Sequence, residues 1–176
     1  CSEGGSEPAI SALDTKTGRP VWRTPLGSDS GEYAIGPTVA GGRVFVSTRA
    51  NVRRSPGSKQ WETKLRGSVT ALDAKSGEIL WRRENIYSWS PMTSDGTVLL
   101  GPMWSSADEK LYLLDCRTGE TIWAKSRMAN HYNPPITLTQ DLILYQPWGP
   151  KLHAMSRSTG EPLWIFHNEF TSAGCC

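Results

Sequence analysis

An eleven-residue stretch that returns four times constrains this chain more than any other feature. It reads Ala12-Leu13-Asp14-Thr15-Lys16-Thr17-Gly18-Arg19-Pro20-Val21-Trp22 at its first appearance and Ala71-Leu72-Asp73-Ala74-Lys75-Ser76-Gly77-Glu78-Ile79-Leu80-Trp81 at its second. It returns over Leu113 to Trp123 and, more altered, over Ala154 to Trp164. Self-similarity at a fixed period marks a repeat architecture, in which each supersecondary unit buries its apolar face against the next copy.

Each copy reads as a β-hairpin. Ile10 to Asp14 alternates as a strand does. Asp and Thr or Ser then hydrogen-bond the local backbone, Gly supplies a positive φ, and the chain reverses into Pro20-Val21-Trp22. A second pattern lies between the hairpins. Gly36-Pro37-Thr38, Ser90-Pro91-Met92 and Asn133-Pro134-Pro135 each begin a short strand, where Pro is tolerated. After a turn come the apolar strands Val44-Phe45-Val46, Val98-Leu99-Leu100 and Leu142-Ile143-Leu144-Tyr145. One unit therefore has four strands, A to D.

The motif tryptophans are 59, 42 and 41 residues apart. Four strands every 40-odd residues is the period of a β-propeller blade. The longer first interval predicts an insertion between strands B and C, around Arg49 to Arg66. The expected fold is all-β: a partial β-propeller of four-stranded antiparallel blades. Residues 10–24 form a half blade; 34–82, 88–125 and 132–166 form blades. Residues 1–9 are a flexible tail, and 167–176 begin a further blade or form a tail. About three and a half blades cannot close a ring, and natural sheets avoid unpaired edges. The expectation is a piece of a larger propeller, or a half-ring completed by a second chain, with self-association through its open edges.

A net charge of +2 argues for neither nucleic acid nor an acidic surface. No apolar run approaches the roughly 20 residues that cross a bilayer as a helix. The opening Cys1-Ser2-Glu3-Gly4-Gly5-Ser6 suits a lipoprotein after signal cleavage, acylated on Cys1 and so exported to the periplasm or cell exterior; the alternative is an arbitrary cut. Any membrane contact would run through that lipid. Four cysteines (Cys1, Cys116, Cys175 and Cys176) leave three full pairings open.

Ala-x-Asp-x-x-Thr-Gly-x-x-x-Trp resembles the tryptophan-docking motif of the pyrroloquinoline-quinone (PQQ) repeat family, the quinoprotein-type propellers, and the resemblance covers all four hairpins. It implies structural roles for Trp22, Trp81, Trp123 and Trp164, each packed between blades. It does not choose a function. The family holds PQQ-dependent alcohol and sugar dehydrogenases, the propeller lipoprotein of the outer-membrane β-barrel assembly machine, and binding propellers without quinone. Propellers of this kind gather the D–A and B–C loops on one face. Trp61, Trp89, Trp104 and Trp148 all fall in such loops, as do Tyr33, Tyr87, His131 and Tyr132. An aromatic rim suits a sugar, a flat cofactor or a peptide; the alternative is that these rings plug gaps between blades. The insertion is basic (Arg49, Arg53, Arg54, Lys59, Lys64 and Arg66 against Glu62), either a grip for an anion or a solvated loop.

The resemblance also draws attention to Cys175-Cys176, because PQQ-dependent alcohol dehydrogenases carry a vicinal disulfide against the quinone. The sequence ends before the Asp-x-x-Asn-Arg-Gly that usually follows that pair, the pair comes after three blades, and Ala34 stands where those enzymes have a metal-binding Glu. His131, His153 and His167 share no ligand spacing, so no metal site is expected. No phosphate loop or nucleophile elbow is present. The function expected is a non-catalytic binding or scaffolding segment, with no cofactor, that shows its aromatic loop face to a partner protein or ligand. The alternative is part of a PQQ- and calcium-dependent quinoprotein dehydrogenase, with Cys175 and Cys176 at the cofactor.

Overall fold

The computed structural model describes residues 8–27, 33–50, 66–86, 88, 92–94, 96–100, 110–126, 136–146 and 150–167; at 33–35, 49–50, 66, 92 and 94 it describes backbone alone. These residues form fourteen strands and no helix. β1 (Ala9–Leu13) and β2 (Pro20–Pro25) pair as an antiparallel hairpin. β3 (Tyr33–Ala40), β4 (Arg43–Ala50), β5 (Arg66–Asp73) and β6 (Ile79–Glu84) follow as a four-stranded antiparallel meander. A second meander holds β7 (Met92–Ser94), β8 (Thr97–Leu100), β9 (Lys110–Asp115) and β10 (Thr121–Ser126). A third holds β11 (Ile136–Leu138), β12 (Leu142–Tyr145), β13 (Lys151–Ser156) and β14 (Pro162–His167). These are consecutive blades of a β-propeller, the first represented by strands C and D.

Each motif copy forms its hairpin in the same way. The carboxylate of Asp14 accepts from the Thr17 N–H at 2.7 Å, the Thr17 hydroxyl at 2.8 Å and the Lys16 N–H at 3.1 Å. Asp73 and Asp115 repeat this with Ser76 and Thr118. The Gly N–H then donates to the Asp carbonyl, as from Gly77 to Asp73 at 2.9 Å. In the fourth copy the Ser156 hydroxyl replaces the carboxylate and accepts from Thr159 N–H at 3.3 Å. A register shift recurs at the same place in every copy, for example between Ala71 and Leu72, and lets the turn leave the ladder.

The core lies between the sheets, and the period of two along each strand sorts it. Val44 and Val46 face the first hairpin with Leu26, Leu72, Ile10 and Trp22. Their neighbour Phe45 faces the other way, with Val69, Ala71, Val98, Leu100 and Leu114. Leu99 turns toward the last sheet with Leu111, Leu113, Ile143, Tyr145 and Met155. The two inner sheets, β3–β6 and β7–β10, thus spend both faces on their neighbours, and the apolar alternation sorts which residues meet which neighbour.

The β4–β5 ladder runs further than the sequence indicates. Arg49 pairs with Gly67 and Ala50 with Arg66, so the ends of the stretch read as an inserted loop belong to strands. Ser47, Thr48, Ser68 and Thr70 explain the extension: these β-compatible hydroxyl residues are fully buried, and Thr48 and Ser68 lie 2.7 Å apart, Oγ1 to Oγ.

Candidate functional site

The two ends of each sheet are built differently. One end carries the A–B and C–D turns; the other carries the strand ends from which the B–C and D–A segments leave, as the pairs Ala50–Arg66, Leu100–Tyr112 and Tyr145–His153 mark.

At the turn end, neighbouring sheets are bolted together by a repeated joint. Trp22 Nε1 donates to the Ala74 carbonyl at 3.1 Å, Trp81 Nε1 to Cys116 at 3.0 Å, and Trp123 Nε1 to Arg157 at 2.8 Å. The acceptor is always the residue after the Asp, or Ser156, of the next hairpin. The same residue's N–H donates to its own sheet's A–B turn: Ala74 to Gly42, Cys116 to Gly96, Arg157 to Asp141. The indole also lies on the Gly of that hairpin. A Cβ on Gly77 would sit 2.5 Å from Trp22 Cδ2, and one on Gly119 would sit 2.7 Å from Trp81 Cδ2. Gly serves there twice, giving both the positive φ of the turn and the bare surface the ring needs.

A second clamp comes from the residue two beyond each Trp. Thr24 Oγ1 donates to the Gly77 carbonyl at 2.6 Å, Arg83 Nη1 to the Gly119 carbonyl at 2.8 Å, and Lys125 pairs with Glu161. The sequence reading missed this position. A polar residue at Trp+2 in three copies was the available signal.

Trp22, Trp81 and Trp123 are half-buried, whereas Trp164 is 45% exposed and has no acceptor for its Nε1 among the described residues. Its neighbours Ile165 and Phe166 are exposed as well.

At the loop end, the described polar groups include buried hydroxyls and a Tyr145–His153 pair. Ser88 is buried; its N–H donates to Ser47 Oγ at 3.3 Å, and its own hydroxyl has no partner among the described residues. Tyr145 Oη lies 3.3 Å from His153 Nδ1, with ring centroids 5.0 Å apart. Burial, with Lys151 and His167 nearby, pushes the His153 pKa down, and burial pushes the Tyr145 phenol up. The lowered pKa favours the neutral imidazole, and the contact is a hydrogen bond between neutral groups. Among the described residues no three His, Cys, Asp or Glu side chains come together.

Trp61, Tyr87, Trp89, Trp104, His131, Tyr132 and Trp148 lie outside the described residues, as do Cys175 and Cys176. Their segments leave from the loop end: 51–65 between β4 and β5, 101–109 between β8 and β9, 147–149 between β12 and β13, and 87–91 and 127–135 in the D–A connections.

The sequence profile of the family described as outer membrane protein assembly factor BamB matches residues 4–66 and 65–174. A polyvinylalcohol dehydrogenase of a Pseudomonas species is 38% identical over 42% of this chain and 12% of that protein. The outer membrane protein assembly factor BamB of Moranella endobia is 26% identical over 85% of this chain and 37% of its own length. Among solved structures, the quinohemoprotein alcohol dehydrogenase of Comamonas testosteroni superposes with a TM-score of 0.66 at 19% identity, over 92% of this chain and 32% of that one. The chain thus spans less than two fifths of the length of each of these proteins.

Proposed function

The chain belongs to the family described as outer membrane protein assembly factor BamB, and from that premise we propose that it is a non-catalytic scaffold that holds a partner protein on its loop end, in the exported setting where outer membrane proteins are assembled. The observation that carries this reading is the division of labour between the two ends of the sheets. The turn end is consumed by Trp, Gly and Trp+2 joints that hold the blades, which leaves the loop end to meet a partner. The segments leaving that end carry Trp61, Trp89, Trp104, Trp148, Tyr87, His131 and Tyr132, which supply apolar area with polar edges, the chemistry of protein-binding hot spots. Cys1, if acylated, would hold the scaffold at the membrane.

The test is photocrosslinking from a benzoylphenylalanine placed at Trp104 or Trp148 in the producing cell. Crosslinks to outer-membrane assembly components from these positions, and none from Val21 on the outer strand, support the scaffold. Equal labelling from all three positions sinks it.

The 38% identity to a polyvinylalcohol dehydrogenase favours a second reading, part of a PQQ- and calcium-dependent dehydrogenase with Cys175 and Cys176 beside the quinone. Titration with PQQ and Ca²⁺ separates the two. Saturable quenching of Trp fluorescence at one PQQ per chain, with dye-linked oxidation of an alcohol, would establish the enzyme and remove the scaffold reading.

A further inference from the structure

We propose that the loop end of the β11–β14 sheet carries an oxyanion site, for a carboxylate or a phosphate group, built by Lys151 and His153 of β13 and His167 of β14, with Tyr145 of β12 holding the His153 ring. The observation is a cluster of cationic and protonatable side chains on one sheet face with no carboxylate among them. Lys151 lies opposite His167 and His153 opposite Ile165 across the β13–β14 ladder, and Tyr145 lies opposite His153 across β12–β13. Cross-strand partners share a face, and so do residues two apart, so the four side chains project from the same side. That side looks back at the preceding sheet, because Tyr145 and Met155 on the same face pack with Leu99, Leu111 and Leu113. Both walls of the cleft therefore lie within the described chain.

The matching positions of the β3–β6 sheet show a closed version of this corner. There Ser68 stands opposite Glu84 and Thr70 opposite Arg82. Arg82 Nε donates to Thr70 Oγ1 at 3.1 Å and lies 3.7 Å from Glu84 Oε1, while Nη2 donates to the Leu26 carbonyl of the preceding hairpin. That guanidinium is compensated inside the chain. By register, Lys151 stands in place of Ser68, His153 of Thr70, His167 of Glu84 and Ile165 of Arg82. The exchange removes the carboxylate with its guanidinium and installs an ammonium and two imidazoles. Neither Lys151 nor His167 has an ion-pair partner among the described residues.

The Tyr145 ring is buried in the apolar cluster, so its hydroxyl is a fixed point 3.3 Å from His153 Nδ1. It donates to Nδ1 of a neutral imidazole and accepts from Nδ1 of a protonated one, so the ring stays in place in either charge state and Nε2 carries a hydrogen in both. Lys151 and His167 are exposed, which leaves the mouth of the cleft open to water. The other facing groups bring no compensating charge: Ile136 of β11 and Leu111 of β9 are apolar, and Lys125, opposite Leu111, is taken by Glu161. Burial, Lys151 and His167 hold the His153 pKa below its ordinary value, and a bound anion opposes the two charge contributions and favours the imidazolium. The same ammonium repels a metal ion, and two imidazoles lack further ligands, so the cluster selects an anion.

Binding at this site is linked to proton uptake. A protonated His153 or His167 attracts an oxyanion that the neutral ring does not, so affinity rises as pH falls through the imidazole pKa and drops above it. Carboxylate and phosphate offer the same charged oxygens, and the probe that binds tells them apart. The site does not depend on the scaffold reading, because a free anion tests it without a partner.

The experiment is a pH titration of the histidine ring resonances of the 176-residue chain by NMR, in sodium chloride, sodium acetate and sodium sulfate at equal ionic strength. Acetate stands for a carboxylate and sulfate for a phosphate group, and His153→Gln and His167→Gln assign the signals. The His153 and His167 pKa values are expected to rise by about half a unit or more in at least one oxyanion relative to chloride. A rise in acetate alone assigns a carboxylate, in sulfate alone a phosphate group, and in both an oxyanion site without preference. Lys151→Met, at an exposed position, should keep the parent's circular dichroism spectrum. It should raise the His153 pKa in chloride, because a repelling charge is gone, and abolish the further rise in the oxyanion. Equal pKa values in all three salts, or a rise in the oxyanion that survives Lys151→Met undiminished, would each overturn the proposal.

Discussion

Trp22 and Ala74 are 52 positions apart and joined through the indole N–H and a backbone carbonyl. Ala74 is held from both sides: its carbonyl receives the preceding sheet's Trp, and its N–H is given to Gly42 in its own A–B turn at 2.9 Å. One backbone unit therefore couples the closure of a blade to its attachment to the blade before. Cys116 and Arg157 do the same for the next two joints. The chain is a stack whose stability is carried by nearest-neighbour joints.

Replacing Gly77 tests the joint against the turn. Gly77→Ala meets a positive φ of 76° and the Trp22 ring at 2.5 Å; Gly18→Ala meets a positive φ of 68° and open space. The turn strain alone costs about 1–2 kcal/mol. Gly77→Ala should therefore lose clearly more than Gly18→Ala in urea melts of dilute chain, by about 1–3 kcal/mol for the displaced ring. Equal losses would mean that the ring contributes nothing there.

The tryptophans should divide in the same way. Trp123→Ala removes a half-buried ring and leaves the Arg157 carbonyl without its donor, for an expected loss of about 3 kcal/mol. Trp164→Ala, on an exposed ring, should change the unfolding free energy of the dilute chain by under about 0.5 kcal/mol. Chemical denaturation followed by circular dichroism reads both.

The hairpins and their order were legible because their requirements fall on side chains: Asp for the turn, Gly for a positive φ, Trp for the joint. The parts that were not legible use atoms the sequence does not vary. The carbonyls of Ala74, Cys116 and Arg157 accept whatever side chain follows the Asp. The Trp+2 clamp is a hydroxyl in Thr24, a guanidinium in Arg83 and an ammonium in Lys125, three answers to one geometry that share no residue type. The β4–β5 ladder reached Ala50 and Arg66 because buried Ser and Thr continued the strand where an apolar alternation had been the signal. Segment 51–65 has no repeating pattern, so its residues reveal chemistry but not placement.

Arg157 is a charged side chain with only 6% of its surface exposed. It donates from Nη1 to the Thr139 carbonyl at 2.8 Å and the Gln140 carbonyl at 3.1 Å, and from Nη2 to Thr97 Oγ1 at 2.8 Å. The planar fork ties the β11–β12 turn to β8 of the preceding sheet, which a single ammonium cannot span. Arg157→Met should cost about 2–3 kcal/mol by leaving buried acceptors unpaired, and Arg157→Lys should recover less than half of it. A Lys variant as stable as the parent would show that charge, not the fork, is what the position needs.

Acid should weaken the first three hairpins and spare the fourth. Hydrogen bonds from Thr17 hold the Asp14 pKa below its usual value near 3.8, and those from Ser76 and Lys75, and from Thr118 and Arg117, do the same for Asp73 and Asp115. A carboxyl whose pKa is lower folded than unfolded adds stability that is complete above the unfolded value and is lost as pH falls through the folded one. The loss should therefore begin as pH drops toward 3.8 and deepen below it. Asn in place of Asp keeps an acceptor oxygen but cannot titrate, so Asp73→Asn should be less stable than the parent at pH 7, with the gap narrowing as pH falls below 3.8. Ser156→Ala should show a gap that does not depend on pH, because a hydroxyl fills that turn. Urea midpoints between pH 7 and pH 3 measure both slopes, and a Ser156→Ala gap that closes with acid would place the titrating groups outside the Asp turns.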